Sequence, residues 1–289
     1  MGFTVRNRLF LYVRLARLDR PIGWLLLMWP TLWAVWIAGG GQPQIQIVVV
    51  FVTGVIVMRA AGCVINDYFD RAFDPHVRRT RNRPLATGDV STREALVLFA
   101  ALMMMALGLL LTLNRQAILL GFVGAGIAIS YPLFKRFTHL PQLFLGIAFS
   151  WGIPMAFAAQ TGRVPAVAWW ILCANLLWTV AYDTMYAMAD RPDDLKIGVR
   201  STAILFGRYD LLANAVLQAL ALAVLGIIGW GLHLSGWYYL GLVGAAVTAG
   251  HQYRLCRGRD RVMWLKALIN HTWFGACVFA GILVCFRLN

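Results

Sequence analysis

The sequence predicts an all-α membrane protein, a bundle of about nine transmembrane helices. Of its 289 residues, 60% are hydrophobic and only 13% are charged, and the mean hydropathy is +0.69. Soluble domains carry about 25% charged residues, so this composition indicates a polytopic membrane protein. Apolar runs of about 20 residues, the length of a helix that crosses a bilayer, recur along the whole chain.

The apolar runs define the predicted spans, and charged or glycine-containing stretches separate them. The spans lie near residues 23–41, 45–66, 94–113, 116–133, 142–160, 165–189, 210–230, 236–256 and 266–286. We expect residues 1–289 to form a single membrane domain.

Lysine and arginine are distributed very unevenly over the predicted loops. Twenty-two of the 26 basic residues lie on the side of the N-terminus, three lie on the opposite side, and Arg59 lies inside a span. The positive-inside rule therefore predicts a cytoplasmic N-terminus and, after nine spans, a periplasmic C-terminus. All twelve acidic residues also fall on the cytoplasmic side, although that rule makes no demand on acids.

The net charge of +14 does not indicate nucleic-acid binding, because long apolar runs separate the basic residues. Anionic lipid headgroups and an anionic substrate fit this distribution better. The five cysteines are scattered through apolar segments without a CxxC pair. This spacing argues against a disulfide framework and against a zinc site.

The most informative stretch of the sequence is MRAAGCVINDYFDRAFDPHVRRTRNRPLATG at residues 58–88. It begins with the end of an apolar helix, continues with a cluster of carboxylates and ends with several arginines. Asn66, Asp70 and Asp74 recur every four residues, so on a helix they form one column of oxygen ligands, with Asp67 beside it. Like charges at this spacing destabilise a helix unless something binds them. The column therefore predicts a bound cation.

A second acidic column follows half a chain later, where Asp190 and Asp194 repeat the spacing of four. Both columns lie at the cytoplasmic ends of predicted spans, where the helix dipole is negative and carboxylates are disfavoured. Oxygen ligands without nearby histidine or cysteine favour a hard cation, and Mg²⁺ in particular. We expect the two columns to serve one shared site.

Basic residues follow both columns and could bind phosphate, arginine through two parallel hydrogen bonds and lysine as a point charge. They are Arg71, Arg78, Arg79, Arg81, Arg83, Lys135, Arg136, Lys196 and Arg200. The inferred ligand is the Mg²⁺-bound diphosphate of a lipid whose tail lies between the helices. Metal binding to such a leaving group helps an allylic C–O bond to ionise. The alternative is that these cations only form a solvated face or anchor the chain to headgroups.

Arg59 lies two helical turns, roughly 10 Å, deeper in the membrane than Asn66 and on the same face. An arginine at that depth is costly and normally faces the bundle interior with a partner. It could bind an anionic second substrate such as a carboxylate, or it could form a structural ion pair or snorkel. Tyr186 shares a helix face with Asp183 and Asp190, so these side chains could line the reaction cavity.

These motifs resemble those of the UbiA superfamily of intramembrane prenyltransferases, and more narrowly its 4-hydroxybenzoate polyprenyltransferase branch. The NDxxDxxxD pattern that begins at Asn66 marks the superfamily, whereas the MRAAGC lead-in and the YDxxYAxxDxxDD form point to the branch. The likeness covers nearly the whole chain and includes RPIGWLLLMWPTLWA at residues 20–34, YPLFKRFTHLPQ at 131–142 and IPMAFAA at 153–159.

The resemblance implies a nine-helix bundle with a lateral opening to lipid and a cytoplasmic cap over the site. It also implies an Mg²⁺-dependent enzyme of ubiquinone biosynthesis in the bacterial inner membrane, which joins a polyprenyl diphosphate to the ring carbon ortho to the hydroxyl of 4-hydroxybenzoate. Asp190 and Arg136 match positions that matter for catalysis in the family, and Asp190 is our candidate for the base that takes the ring proton or for the residue that orients the phenol. The metal ligands implied are Asn66, Asp70, Asp74, Asp190 and Asp194.

Two alternatives remain at this point, and a third is excluded by its motif. A prenyltransferase with another acceptor, naphthoate or haem, would share the donor site. An ion-coupled transporter could also hold acids in its bundle, but transport sites lie near the membrane midplane, whereas these acids lie at one face. A CDP-alcohol phosphotransferase would require a DG, AR, G and DxxxD pattern, which the sequence lacks.

Overall fold

The computed structural model describes residues 5–72, 74–76, 80–134, 138, 140–197 and 200–288, with side chains at all of these except 5, 6, 76, 131–134, 193 and 197. These ranges are all-α and contain no strand, with short 3₁₀ turns at Asp74–His76 and Gly207–Tyr209. The helices are α1 (Val5–Leu15), α2 (Ile22–Ala38), α3 (Ile45–Asp70), α4 (Thr92–Leu111), α5 (Arg115–Phe134), α6 (Pro141–Ser150), α7 (Gly152–Thr161), α8 (Ala166–Ile197), α9 (Thr202–Phe206), α10 (Asp210–Gly231), α11 (Gly236–Cys256) and α12 (Arg261–Leu288).

Each predicted span coincides with one of these helices, except that the fifth is divided at Trp151 into α6 and α7. Within the described ranges, six helical segments are long and apolar enough to cross a membrane. They are Ile45–Asp70, Thr92–Leu111, Pro141–Thr161, Ala166–Pro192, Thr202–Gly231 and Arg261–Leu288. The all-α, multi-pass fold class is thereby confirmed, while the count of nine spans stays a prediction.

The chain divides into two compact units, and the first comprises Met1–Leu25 and Val49–Thr112. Its apolar core joins α1, α3 and α4 through buried side chains that include Leu15, Val64 and Ala95. A capping box starts α4, because the Ser91 hydroxyl accepts from the Glu94 backbone N–H and the Glu94 carboxylate accepts from the Ser91 backbone N–H.

The second unit comprises Leu26–Val48 and Leu113–Asn289. Its central helix, α8, packs against α6, α7, α9, α10 and α12, and α11 packs along α12. The buried rings of Trp33 and Phe274 lie 5.6 and 5.2 Å from the ring of Trp178, whose indole N–H donates to His271. Glycine allows α11 and α12 to approach closely, because a Cβ at Gly281 would lie 2.9 Å from the backbone oxygen of Tyr238.

Candidate functional site

The first acidic motif lies at the C-terminal end of α3. Arg59, Asn66 and Asp70 are all half-buried and share one face of the helix. The Asn66 side-chain amide donates to Asp70 Oδ2 at 2.8 Å, so the spacing of four brings these two side chains together as the sequence predicts. Their remaining oxygens are of the hard type that Mg²⁺ prefers.

Asp74 does not continue the column on the same helix, so this part of the sequence expectation was wrong. α3 ends at Asp70, and Asp74 begins a 3₁₀ turn. The physical reason is Pro75, since a residue that precedes proline is disfavoured in the α-helical conformation. The buried Asp74 carboxylate accepts a hydrogen bond from Arg83 at 2.8 Å, and its role as a metal ligand stays a prediction.

Asp67 is the buried centre of an ion-pair network beside this motif, with only 1% of the residue exposed. Its Oδ1 accepts from Arg17 at 2.5 Å and from Arg83 at 2.9 Å, and Arg83 also binds Asp74. Burial by itself would lower the pKa of Arg17, but the negative charges around it, including those of Asp67 and Asp74, raise this pKa above its ordinary value. Arg17 therefore stays charged and ties the chain after α1 to the end of α3.

The second acidic motif lies entirely on α8. The helix continues through Pro192 to Ile197, so Asp190 and Asp194 are one turn apart on one helix, as the spacing predicts. Between residues 178 and 190 every residue is buried except Asp183, Tyr186 and Asp190. These three predicted site residues therefore occupy the one open face of an otherwise buried helical segment.

Arginines from other elements bind the acids at this end of the second unit. Arg261, the first residue of α12, contacts Asp190 Oδ1 through Nη2 at 3.2 Å. Asp210, the fully buried first residue of α10, accepts hydrogen bonds from both Arg191 and Arg259. Arg191 also donates to the backbone oxygens of Ala203 and Gly207.

The basic residues predicted to bind diphosphate differ in what the structure shows. Lys196 and Arg200 are exposed beyond the second column. Arg71 is exposed and lies over the ring of Tyr68 at 4.5 Å, with a hydrogen bond to the Tyr68 backbone oxygen at 2.7 Å. Arg81 is exposed, whereas Arg83 is engaged by the buried Asp67 and Asp74, so its prediction as a phosphate ligand was wrong. Arg78, Arg79, Lys135 and Arg136 lie outside the described residues.

In the described part of the chain, no three His, Cys, Asp or Glu side chains are grouped to hold a metal ion by themselves. Mg²⁺ usually takes only one or two carboxylates from a protein and completes its shell with water and phosphate oxygens. The half-buried pairs formed by Asn66 with Asp70 and by Asp190 with Asp194 supply oxygen donors of this kind. The residues present therefore fit Mg²⁺ that is bound together with a phosphate ligand.

Arg59 lies against α2 at Gly23, within the first unit. A Cβ at Gly23 would lie 2.9 Å from Arg59 Nε, so the absence of a side chain there makes room for the guanidinium. The sequence pattern indicates Arg59 but not its neighbour Gly23. It gives no sign of the contacts that Arg17, Asp210 and Arg261 make with Asp67, Arg259 and Asp190, because these partners are 50, 49 and 71 residues away along the chain.

Comparison with known proteins gives a consistent result. Residues 27–281 match the UbiA prenyltransferase family. The 4-hydroxybenzoate octaprenyltransferase of Alcanivorax borkumensis is 58% identical over 271 residues, which cover 94% of this chain and 93% of that protein. The protein of the same name from Nitrosococcus oceani is 56% identical over 278 residues, which cover 96% and 98%.

Solved structures share the fold. A UbiA homolog from Aeropyrum pernix K1, in its apo form, aligns with a TM-score of 0.78 at 25% identity and covers 90% of this chain and 97% of that one. A UbiA homolog from Archaeoglobus fulgidus bound to GPP and Mg²⁺ aligns with a TM-score of 0.68 at 19% identity and covers 94% and 99%. At that identity the second likeness concerns the fold alone.

Proposed function

The chain belongs to the UbiA prenyltransferase family, and we propose that it is a 4-hydroxybenzoate polyprenyltransferase. It transfers a long polyprenyl chain from polyprenyl diphosphate to the ring carbon ortho to the hydroxyl of 4-hydroxybenzoate and releases pyrophosphate, a step of ubiquinone biosynthesis. The observation that carries this proposal is the identity of 52–58% to 4-hydroxybenzoate octaprenyltransferases over at least 93% of each chain.

For the prenyl donor, we assign the metal ligands to the acidic residues of both motifs. The residues are Asn66, Asp70, Asp74, Asp190 and Asp194. Bound Mg²⁺ would neutralise the diphosphate and so help the allylic C–O bond to ionise. The half-buried position of Asn66, Asp70, Asp190 and Asp194 supports this assignment, since a metal shared with a phosphate ligand needs open carboxylates.

The basic residues around these acids would bind the diphosphate oxygens directly. The residues are Arg71, Arg78, Lys135, Arg136, Lys196 and Arg200. Their support is the chemistry of guanidinium and ammonium groups toward phosphate, together with the resemblance of the stretch YPLFKRFTHLPQ at residues 131–142, which contains Lys135 and Arg136, to the family. Arg136 would contribute to catalysis by binding the diphosphate.

For the acceptor, Arg59 would bind the carboxylate of 4-hydroxybenzoate. Tyr186 and Asp183, on the open face of α8, would line the acceptor's position. Asp190 on the same face would orient the phenol or take the ring proton that must leave to restore aromaticity. The supporting observation is that α8 leaves only these three side chains open between residues 178 and 190.

The chain is a multi-pass membrane protein, and we place its site on the cytoplasmic side of the bacterial inner membrane. The support is the distribution of lysine and arginine, which predicts the N-terminus inside and the C-terminus in the periplasm. Both acidic motifs lie on the predicted cytoplasmic side.

Membranes that contain the overexpressed chain should convert labelled 4-hydroxybenzoate and a long-chain prenyl diphosphate into a lipid-soluble product with Mg²⁺ and not with EDTA. Asp70→Asn and Asp190→Asn should each lose at least 100-fold in kcat, in the range found when a group that stabilises the transition state is removed. Asp89→Asn, an exposed acid outside both motifs, is the matched control and should keep normal activity.

Near-normal turnover by purified Asp190→Asn would refute the assignment of the donor site. Pyrophosphate release with a naphthoate acceptor, and none with 4-hydroxybenzoate, would keep the donor site and overturn the acceptor. Each variant is compared at equal membrane insertion, measured by quantitative immunoblot.

A further inference from the structure

The turn between α11 and α12 is fixed in place by Arg259. Its Nη2 contacts Asp210 Oδ1 at 3.1 Å and the Arg208 backbone oxygen at 2.9 Å, and its Nη1 contacts Asp210 Oδ2 at 3.3 Å. Arg259 has a φ of +53°, a left-handed conformation that a non-glycine residue adopts only when its surroundings hold it. Because Asp210 is fully buried, this two-pronged contact anchors the turn to the start of α10.

The anchored turn presents Arg261 to Asp190. Asp260 caps the start of α12, since its Oδ1 accepts from the Met263 backbone N–H at 3.0 Å. Arg261 follows as the first residue of the helix, and its Nη2 lies 3.2 Å from Asp190 Oδ1. The Arg261 side chain is 38% exposed and that of Asp190 is 15% exposed, so both border open space.

The contact has an electrostatic consequence for the proposed metal ligand. A guanidinium beside Asp190 weakens the attraction of that carboxylate for a metal cation. The arrangement favours metal binding only if an anion binds with the metal, and a diphosphate brings that negative charge. Arg191, the neighbour of Asp190 in sequence, binds Asp210 and two backbone oxygens instead of Asp190. The arginine placed beside the Asp190 carboxylate is therefore Arg261.

We infer that Arg261 is a further diphosphate-binding residue, and that Arg259 is the positioning residue that directs it. The inference rests on the proposed function. A guanidinium carries five N–H donors, so Arg261 can contact Asp190 and a phosphate oxygen from one position. When the C–O bond of the donor breaks, its electron pair stays on the diphosphate oxygen, and a cation already in place stabilises the charge that develops there.

The test measures the binding of inorganic pyrophosphate in the presence of Mg²⁺ to the purified full-length protein by calorimetry. Arg261→Gln should weaken this binding about 10- to 100-fold, the effect of losing one hydrogen-bonded contact to a charged group. Arg261→Lys should lose less affinity for pyrophosphate, because lysine keeps the positive charge but not the paired N–H donors of the guanidinium. Arg257→Gln removes an exposed arginine of the same turn and should bind pyrophosphate within about twofold of the unchanged protein.

Steady-state kinetics give the second readout. Arg261→Gln should raise the KM for the prenyl diphosphate and leave the KM for 4-hydroxybenzoate unchanged, whereas a merely structural role would move both. Pyrophosphate binding by Arg261→Gln as tight as that of the unchanged protein overturns the inference and leaves the proposed function standing. If the unchanged protein itself binds no Mg²⁺-pyrophosphate, the inference and the proposed donor site both fall. Should Arg261→Gln fail to fold, the same comparison on Arg261→Lys decides.

Discussion

Replacing Asp67 by asparagine should destabilise the first unit without touching the proposed metal ligands. Asp67 Oδ1 accepts hydrogen bonds from Arg17 at 2.5 Å and from Arg83 at 2.9 Å, and the Asp67 side chain is only 2% exposed. The asparagine keeps the shape and one acceptor oxygen but removes the negative charge. Two guanidiniums would then face a neutral amide at a buried position.

The size of the effect follows from the burial of the three partners. Removing one member of a fully buried ion pair costs about 3–5 kcal/mol. The Arg17 and Arg83 side chains keep 26% and 16% exposure, so water screens part of the loss, and Arg83 retains its contact with Asp74 at 2.8 Å. We therefore expect the free energy of unfolding to fall by about 2–3 kcal/mol.

The matched control is Asp70→Asn, the same substitution three residues further along α3. Asp70 is half-buried, and its only hydrogen bond among the described contacts is from the Asn66 amide. This variant should lose prenyl transfer while its free energy of unfolding stays within about 0.5 kcal/mol, as for a surface substitution. Denaturant titration in mixed micelles, followed by tryptophan fluorescence, measures both variants against the unchanged protein.

Two results would contradict this prediction. Asp67→Asn would unfold at the same denaturant concentration as the unchanged protein, or Asp70→Asn would be the less stable of the two variants. Either result would show that the network around Asp67 does not hold this end of α3.

Three further perturbations test other parts of the structure. Gly23→Ala would place a Cβ 2.9 Å from Arg59 Nε, so the guanidinium must move, and the KM for 4-hydroxybenzoate should rise several-fold with the KM for prenyl diphosphate unchanged in steady-state assays. The hydrogen bond with Glu94, and then burial, raise the pKa of Tyr12. The stability that this contact contributes should therefore be fully present below pH 10 and be lost as the pH rises through the raised pKa. Denaturant titrations of Tyr12→Phe and of the unchanged protein at several pH values check this. Gly281→Val should force α11 and α12 apart and lower the free energy of unfolding by about 1–3 kcal/mol, and a variant that unfolds normally would contradict the close packing.

The helices were predictable from sequence where hydrophobic length alone decides the structure. α10 (Asp210–Gly231) matches the span predicted near 210–230, because a run of that length has no other way to satisfy its backbone in lipid. α1 was not predicted, because its eleven residues interleave arginines with exposed apolar side chains such as Leu9 and Phe10. Such a helix gives no hydropathy signal, and packing against its neighbours stabilises it.

The candidate site was predictable only as far as one helix carries it. The spacing of four predicted the relation between Asp190 and Asp194 correctly, because α8 is continuous there. The same spacing misled at Asp74, where the following proline ends the helical pattern. The UbiA family assignment is confirmed, but no local spacing could have indicated that Asp67 and Asp210 each bind two arginines from distant segments.

The buried acids among the described residues limit which cations can bind the substrate. A buried carboxylate must be paired, and Asp67, Asp74 and Asp210 engage four arginines between them, namely Arg17, Arg83, Arg191 and Arg259. A diphosphate that bound these arginines would leave the three carboxylates buried without partners, which is costly. The substrate's charge must then be met by cations at open positions. The exposed Arg71, Lys196 and Arg200 and the partly exposed Arg261 meet this condition, and their substitution should weaken diphosphate binding without unfolding the protein.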